Sequence, residues 1–293
     1  MRLLFRDHAG ARNALLLGET DWYSGPDCNA LLAQHPELTT RYVQRVYDHP
    51  QLGVYRIIWD CRHKPFDDAR VRRALGMLVA REQALAVLSG DGRTAAAHAK
   101  PSSLAYPDEP PLPFDPAAAR RLLREAGYDA DAGNALRVTL LALAGSEPPR
   151  RITELFQDAA RQAGVQVEVR TRELTPFLAE RKRNEWHGSL VLQWFDASGA
   201  PYRFLHSHGR SNPGAWNQPK ADALAVAARL EQDPAKRAAV WKQLHALAHH
   251  EQPAALIIHP LAAVLLSKKL RDFDPGACGL RPDWAWAAGD QRR

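Results

Sequence analysis

The sequence lacks the features that mark several common protein classes. It has only three cysteines in 293 residues, Cys28, Cys61 and Cys278, and their spacing fits neither a disulfide framework nor a zinc motif. No apolar run approaches the roughly 18 residues that a membrane-spanning helix needs. A Gly-rich phosphate loop, a Ser-His-Asp arrangement, paired catalytic carboxylates and internal repeats are also missing from the sequence. We therefore expect no catalytic activity, no cofactor and no membrane span.

The charge of the chain is moderately basic and scattered. Lys and Arg together number 39 against 33 for Asp and Glu, which gives a net charge of +6 and an isoelectric point near 9.4. Because no Lys/Arg run exceeds three, the pattern indicates a solvated basic surface, and we expect no nucleic-acid partner. With 45% apolar residues, the chain is long enough to build two lobes with separate cores.

A capped amphipathic helix is predicted after residue 66. Asp67 and Asp68 place carboxyl oxygens beside the free N–H groups of a first helical turn. An apolar stripe follows at the spacing of one helix face and closes near Gly90, and its members are Val71, Leu75, Leu78 and Val79. By itself such a helix is common in globular proteins.

Strand and helix patterns alternate between residues 136 and 194. The order is strand 136–143, helix 152–163 ending at Gly164, strand 165–169, helix from Thr175 to Arg183, and strand 189–194. A β-α-β-α-β order requires crossover connections, which predicts a largely parallel sheet with helices on its faces. The fold class is therefore α/β, and we expect the helix that starts at Asp67 or Asp68 to pack on this unit.

Four motifs occur in one order along the chain. The first is the helix start at residues 65–88. The second, Phe114 to Tyr128, has the form D-P-x-x-A-x-x-L-L-x-x-A-G-Y. The third runs from Leu192 to Leu205, and the fourth from Trp216 to Leu224. Together they resemble the family 5 extracellular solute-binding proteins, which are the dipeptide, oligopeptide and nickel receptors of ABC importers.

The resemblance implies a type II periplasmic-binding-protein-like architecture with two lobes. Residues 3–22 are similar to a segment in the middle of the family's chains, so we expect an N-terminally truncated, C-terminal portion of a receptor. The expected division is 1–59 for a remnant of the first lobe, 60–254 for the second lobe and 255–293 for a segment that returns to the first. The family implies a periplasmic or extracellular location, whereas the chain as it stands shows no signal peptide and is expected in the cytoplasm.

The expected ligand site follows the last predicted strand. In an open α/β sheet ligands bind beyond the carboxyl ends of the strands, where this chain places Trp194, Phe195 and Asp196, with Tyr202 and Trp216 expected nearby. An aromatic wall beside a carboxylate suits a solute that carries an ammonium group on a partly apolar body. Peptides and amine-bearing small molecules are such solutes.

The loop departs from the family's pattern at one column. The resemblance implies a W-x-x-D form whose aspartate holds the α-ammonium of a peptide, but Ala197 occupies that column here and the carboxylate is Asp196, one residue earlier. Two interpretations stay open for each residue. Trp194 is either a site wall or a lobe-core aromatic, and Asp196 is either a ligand group or a turn or cap residue.

One cluster near the end of the helix 234–251 has metal-ligand chemistry, and it consists of His245, His249, His250 and Glu251. His245 and His249 are four residues apart and share a helix face, so they could chelate a divalent ion. The sequence offers no further ligand at motif spacing, and the Glu of an H-E-x-x-H motif does not lie between them. We therefore favour a solvated, slightly basic helix end that offsets the helix dipole, and we expect no metal site.

The resemblance gives the leading functional hypothesis. The chain would hold a peptide or peptide-like solute between two lobes and present it to an ABC permease, as the substrate-binding component of an importer. One alternative is the ligand-sensing domain of a cytoplasmic transcriptional regulator. The other is a truncated product that binds nothing and self-associates.

Overall fold

The structure, a computed structural model, describes residues 8–25, 27–48, 53–87, 92–144, 147–195, 201–271 and 286–287. Its helices are α1 (His8–Leu17), α2 (Cys28–Gln34), α3 (Leu38–Arg41), α4 (Ala69–Met77), α5 (Arg81–Val87), α6 (Pro116–Glu125), α7 (Glu147–Gln162), α8 (Leu174–Arg183), α9 (Tyr202–Leu205), α10 (Pro219–Leu230) and α11 (Pro234–Glu251). Its strands are β1 (Trp22–Ser24), β2 (Tyr42–Tyr47), β3 (Val54–Trp59), β4 (Gly92–Thr94), β5 (Arg137–Leu143), β6 (Gln166–Arg172), β7 (Gly188–Gln193), β8 (Ala254–Pro260), β9 (Ala262–Ser267), β10 (Leu270–Arg271) and β11 (Trp286–Ala287).

These helices and strands form two compact units. The larger unit consists of Gly53–Val87 and Gly92–His259, and the smaller unit contains the described residues before position 49 and after position 259. The larger unit has a six-stranded sheet in the order β4-β8-β3-β7-β5-β6, and the smaller has a three-stranded sheet in the order β1-β9-β2. The chain therefore leaves its first unit and later returns to it.

The predicted parallel unit is confirmed in the larger sheet. Strand β5 pairs in parallel with β6, where Val138 faces Val167, and in parallel with β7, where Leu140 faces Gly188. Helices α7 and α8 are the crossovers between these strands. The helix that Asp68 caps, α4, packs against α6 and α11, and α6 in turn packs against α7. Helix α4 thus reaches the parallel unit through α6.

The predicted division at residues 59 and 254 differs from that of the structure. Strand β3 pairs with β7 and with β8 inside the six-stranded sheet, so residues 53–59 and 254–259 belong to the larger unit. Both strands are buried along their whole length. Apart from Arg56 in β3 and His259 in β8, their residues are mostly apolar and fit the middle of any sheet, so the sequence did not reveal which sheet they join.

Three aspartates cap helices, and for Asp68 the sequence predicts this role. Asp68 accepts a hydrogen bond from Arg70 N, Asp115 from Ala118 N, and Asp233 from both Ala235 N and Lys236 N. Gly127, just after α6, has a φ of 92°, a left-handed conformation that closes a helix at little steric cost for glycine. These capping contacts fix where α4, α6 and α11 begin.

The predicted single helix from Asp68 to near Gly90 is wrong, because the structure has two helices there. Helix α4 ends at Met77 and α5 begins at Arg81. The buried guanidinium of Arg81 donates to the carbonyl oxygens of Leu112 at 2.7 Å, Leu256 at 2.8 Å, and Gly76 and Val79 at 3.3 Å each. A charged side chain thus satisfies the carbonyls that the helix break exposes.

The smaller unit is built around β9. Strands β1 and β2 both pair with it in antiparallel fashion, Tyr23 facing Leu265 and Val43 facing Leu266. Its buried core comprises Leu15, Tyr23, Cys28, Leu31, Leu38, Tyr42, Ala263 and Leu265. Among the helices that the structure describes, none combines the length and apolar character that a bilayer crossing requires.

Candidate functional site at the carboxyl end of strand β7

The carboxyl end of β7 lies beside the start of the larger unit at Gly53, and Gly53 in turn lies close to His259, the last residue of that unit. Gln193, the last residue of β7, faces Val54, the first residue of β3. The ring nitrogen Nδ1 of His259 lies 3.1 Å from the carbonyl oxygen of Gly53. Gln193 and Phe195 therefore lie beside the start of β3.

Gly53 allows the backbones to approach closely at this point. A Cβ atom built on Gly53 would lie 1.7 Å from the carbonyl oxygen of Gln193, far inside the distance that two such atoms tolerate. Only glycine fits here without moving a strand. The register between β3 and β7, and with it the position of Trp194, depends on this contact.

The predicted site residues divide between surface and core. Trp194 is 52% exposed, while Phe195 and Trp216 are each 3% exposed, and Tyr202 is half-buried. Asp196 lies outside the described residues. Of the aromatic residues that the sequence assigns to the site, Trp194 and Tyr202 thus have surface that a solute could contact.

Phe195 and Trp216 belong to the hydrophobic core beneath the site. They share a buried cluster whose larger members also include Phe204, Leu205, Trp241 and Leu244. The indole nitrogen of Trp216 donates to Glu251 Oε2 at 2.9 Å, so even its polar atom has a structural partner. Phe195 and Trp216 are therefore core residues and do not form an exposed wall of the site.

Tyr202, at the start of α9, packs against a histidine ring and lies close to an arginine guanidinium. Its ring stacks on His206 with 4.3 Å between centroids, and the guanidinium of Arg229 lies 4.5 Å from the same ring. A guanidinium over an aromatic face is attracted by the ring's negative face. These contacts hold Tyr202 in place while leaving part of the ring accessible.

A buried arginine that the sequence analysis did not identify lies under the end of β7. Arg56 on β3 donates from Nη2 to Gln193 Oε1 at 2.9 Å and to the carbonyl of Ser211 at 3.0 Å. Its guanidinium also lies 5.2 Å from the ring of Phe204. Burial, with a smaller repulsion from Arg181, lowers the pKa of Arg56 to about 9, which leaves it positively charged at neutral pH.

Three histidines in this part of the larger unit, His98, His245 and His259, are buried. His98 Nδ1 lies 3.4 Å from Arg56 Nη1, and burial, followed by repulsion from Arg56, His245 and His259, lowers the pKa of His98 well below its ordinary value. Burial and repulsion from His259 lower the pKa of His245 to about 3. His98 and His245 are therefore neutral at physiological pH.

The expectation of a solvated, basic end for α11 is wrong for His245. Its side chain is buried and neutral, so it cannot offset the helix dipole, and burial also lowers the pKa of His249. Only His250 of this group is exposed. Within the described part of the chain, no three His, Cys, Asp or Glu side chains are arranged to hold a metal ion.

A concave surface lies at the opposite end of β7. This groove has a volume of about 550 Å³ and is lined by residues that include Asp60, His63, Phe66, Trp186 and His187. Its buried carboxylate, Asp60, already accepts a hydrogen bond from Arg62 Nε at 2.6 Å. The groove at the amino end of β7 therefore has an acid that is engaged within the chain.

Comparison with known proteins shows which family this chain resembles. The model of the bacterial extracellular solute-binding proteins, family 5 (middle region), matches residues 2–216. Di/tripeptide-binding protein 2 of Pseudomonas aeruginosa (strain UCBPP-PA14) is 30% identical over 248 residues, which cover 80% of this chain and 44% of that protein. The dipeptide-binding protein of Escherichia coli (strain K12) is 26% identical over 264 residues, which cover 84% of this chain and 48% of the relative.

A solved structure has the same fold. The oligopeptide-binding protein AppA from Bacillus subtilis, in complex with a nonapeptide, superposes with a TM-score of 0.81 over 97% of this chain and 59% of AppA, at 20% sequence identity. The predicted α/β class and type II periplasmic-binding-protein architecture are thereby confirmed. The chain spans less than half the length of the two relatives described above.

Proposed function

Because this chain belongs to family 5 of the bacterial extracellular solute-binding proteins, we propose that it contributes part of the binding surface of a receptor for peptides or peptide-like solutes. The relatives named above are binding proteins for dipeptides, tripeptides and oligopeptides. The same proposal includes a location outside the cytoplasmic membrane, delivery of the solute to an ABC permease, and no catalytic activity.

The observation that carries the proposal is the exposure of Trp194. Trp194 is 52% exposed at the carboxyl end of a sheet strand, which is where open α/β sheets bind their ligands, so its ring is accessible to a solute at that place. Phe195, the next residue in the chain, is buried in a core cluster with Trp216, so Trp194 stands on a packed base. Trp194 on this base is suited to cover the apolar part of a bound solute or to contact an ammonium group with its ring face.

The proposed function is tested by calorimetric titration of trialanine into the wild-type chain and into Trp194→Ala. We expect the replacement to weaken binding by about tenfold or more, because an aromatic contact of this kind contributes on the order of 1–2 kcal/mol. The thermal unfolding midpoint should change little, since the side chain is largely in solvent.

A matched control is Phe114→Ala, which removes another partly exposed aromatic ring from the larger unit. It should leave trialanine affinity unchanged. If Trp194→Ala instead abolishes cooperative unfolding, Trp194 is a core residue and the site assignment fails. If the wild-type chain shows no heat of binding with trialanine, and Trp194→Ala is equally silent, the chain does not bind short peptides.

A further inference from the structure

A small polar cavity lies at the end of α11, inside the larger unit. Its lining includes His98, His245, His249, Gln252 and Arg81, with alanine and leucine side chains between them. The cavity has about 10 Å³ of space for the centre of a water molecule, which is about the least that holds one buried water. It therefore has room for one very small guest and for no solute of peptide size.

Four buried polar atoms in this lining have no hydrogen-bond partner among the described residues. They are both ring nitrogens of His245, Nε2 of His249 and Oε1 of Gln252. His245 is 2% exposed and Gln252 is 5% exposed, so solvent at the surface does not satisfy them. Buried polar atoms without partners are costly and rare in folded proteins. Because these four atoms belong to residues that line one cavity, we infer that their partner lies inside it.

The other contacts of these side chains show what the partner must offer. Gln252 donates from Nε2 to the carbonyl of His249 at 2.6 Å, and its Oε1 can only accept. His249 bonds to the backbone of Pro110, which has only a carbonyl to offer, so that bond uses the ring N–H and leaves Nε2 as an acceptor. The neutral ring of His245 has one N–H and one acceptor nitrogen.

A water molecule matches this set of atoms. It can donate to Gln252 Oε1 and His249 Nε2 and accept from the N–H of His245. A metal cation matches less well, because Arg81 lines the cavity and no carboxylate does. Within the residues that the structure describes, no three His, Cys, Asp or Glu side chains are placed to hold a metal either. An anion would be repelled by the amide oxygen of Gln252.

Gln252 ends α11 in an unusual backbone conformation. Its φ is 49° and its ψ is 55°, a left-handed conformation that residues other than glycine adopt rarely. Its amide oxygen lies against α4, since a Cβ added to Gly76 would come within 2.9 Å of it. A hydrogen bond to this oxygen therefore fixes the side chain of the residue at which the chain turns from α11 towards β8.

We propose that one water molecule is bound in this cavity as a permanent part of the fold, hydrogen-bonded to His245, His249 and Gln252. The water is a structural ligand that holds the turn after α11. This inference is independent of the proposed function, because the cavity is too small for a peptide.

The direct test is a crystal structure of the wild-type chain at a resolution that shows ordered waters. We expect one density peak in the cavity, at about 2.7–3.2 Å from Gln252 Oε1 and from a ring nitrogen of His245. An empty cavity would overturn the proposal. A peak at about 2.0–2.1 Å from a ring nitrogen would also overturn it, because that distance marks a metal ion.

A solution measurement tests whether the water is long-lived. Oxygen-17 relaxation dispersion counts the waters that stay bound longer than the protein takes to tumble, and we expect His245→Phe, which keeps a ring but removes both nitrogens, to have one fewer than wild type. His250→Phe, at an exposed position on the same helix, should keep the wild-type number. Equal numbers in wild type and His245→Phe would contradict the proposal. If His245→Phe does not fold, the wild-type crystal structure still decides the question.

Discussion

At the scale of single residues, burial controls the chemistry of this protein more than residue type does. The sequence assigns His245 to a solvated, basic helix end, but its ring is buried and neither ring nitrogen has a hydrogen-bond partner among the described residues. The same holds for the predicted site: Phe195 and Trp216 lie in the core, and Trp194 is exposed. Aromatic side chains in one motif thus have different roles, which are decided by contacts far along the chain.

His245 gives a prediction for stability against pH. Burial and the neighbouring His259 lower its pKa from 6.5 to about 3 in the folded state, so between these values the unfolded chain binds more protons. Stability is therefore complete above about pH 6.5 and decreases as the pH falls toward 3, by about 1.4 kcal/mol per pH unit from this group. His98, which packs in the same region with a lowered pKa, adds to the loss.

Replacing His245 by Leu should remove its share of this pH dependence. Urea unfolding at about pH 7.5 should differ little from wild type, and at about pH 5.5 the variant should be relatively more stable by roughly 1 kcal/mol. His250→Leu, an exposed position on the same helix, is the control and should follow the wild-type profile. An identical loss of stability on acidification in His245→Leu and wild type would contradict the account.

At the scale of helices and strands, capping chemistry is the information that the sequence displays most clearly. The starts of α4, α6 and α11 follow from Asp68, Asp115 and Asp233, because an aspartate before a helix accepts from its first N–H groups. The end of α4 is not predictable in this way. It depends on the side chain of Arg81, whose acceptors include the carbonyls of Leu112 and Leu256, residues that no local pattern connects to it.

Arg81→Met should destabilise the larger unit considerably. The substitution keeps an unbranched apolar stem but leaves buried carbonyl oxygens of Gly76, Val79, Leu112 and Leu256 without this donor, and we expect a loss of about 2–4 kcal/mol in the free energy of unfolding. Guanidinium chloride unfolding measures it, with Arg121→Met at an exposed position as the control. A loss below about 0.5 kcal/mol would show that the break between α4 and α5 does not depend on Arg81.

At the scale of the whole molecule, the order of elements is predictable and the pairing of distant strands is not. The alternation of strand and helix periods between residues 136 and 194 predicts the parallel β5, β6 and β7 correctly. The positions of β3 and β8 in the same sheet depend on contacts with residues that are far apart in the sequence, such as Tyr55 with Leu192 and with Ile258. Buried strands have no alternation that would specify their neighbours.

For the candidate site, too, the local features could be predicted from the sequence and the long-range contacts could not. Trp194 could be predicted because a ligand site is expected beyond the carboxyl end of a sheet strand. The contacts of Arg56 with Gln193 and Ser211 join residues 137 and 155 positions apart, and an arginine within an otherwise apolar strand carries no motif. The position of this buried arginine beside the end of β7 therefore cannot be read from the sequence and becomes known only when the pairing of the strands is known.

The most direct test of the central claim is to locate a bound peptide. The claim is that a peptide-like solute lies against the carboxyl end of β7, next to Trp194. A tripeptide whose central residue carries a benzophenone should, on irradiation, form adducts within residues 193–216, and excess trialanine should prevent them. Adducts that trialanine displaces from the opposite groove, around Asp60, His63 and His187, would contradict the claim, as would labelling that trialanine does not displace.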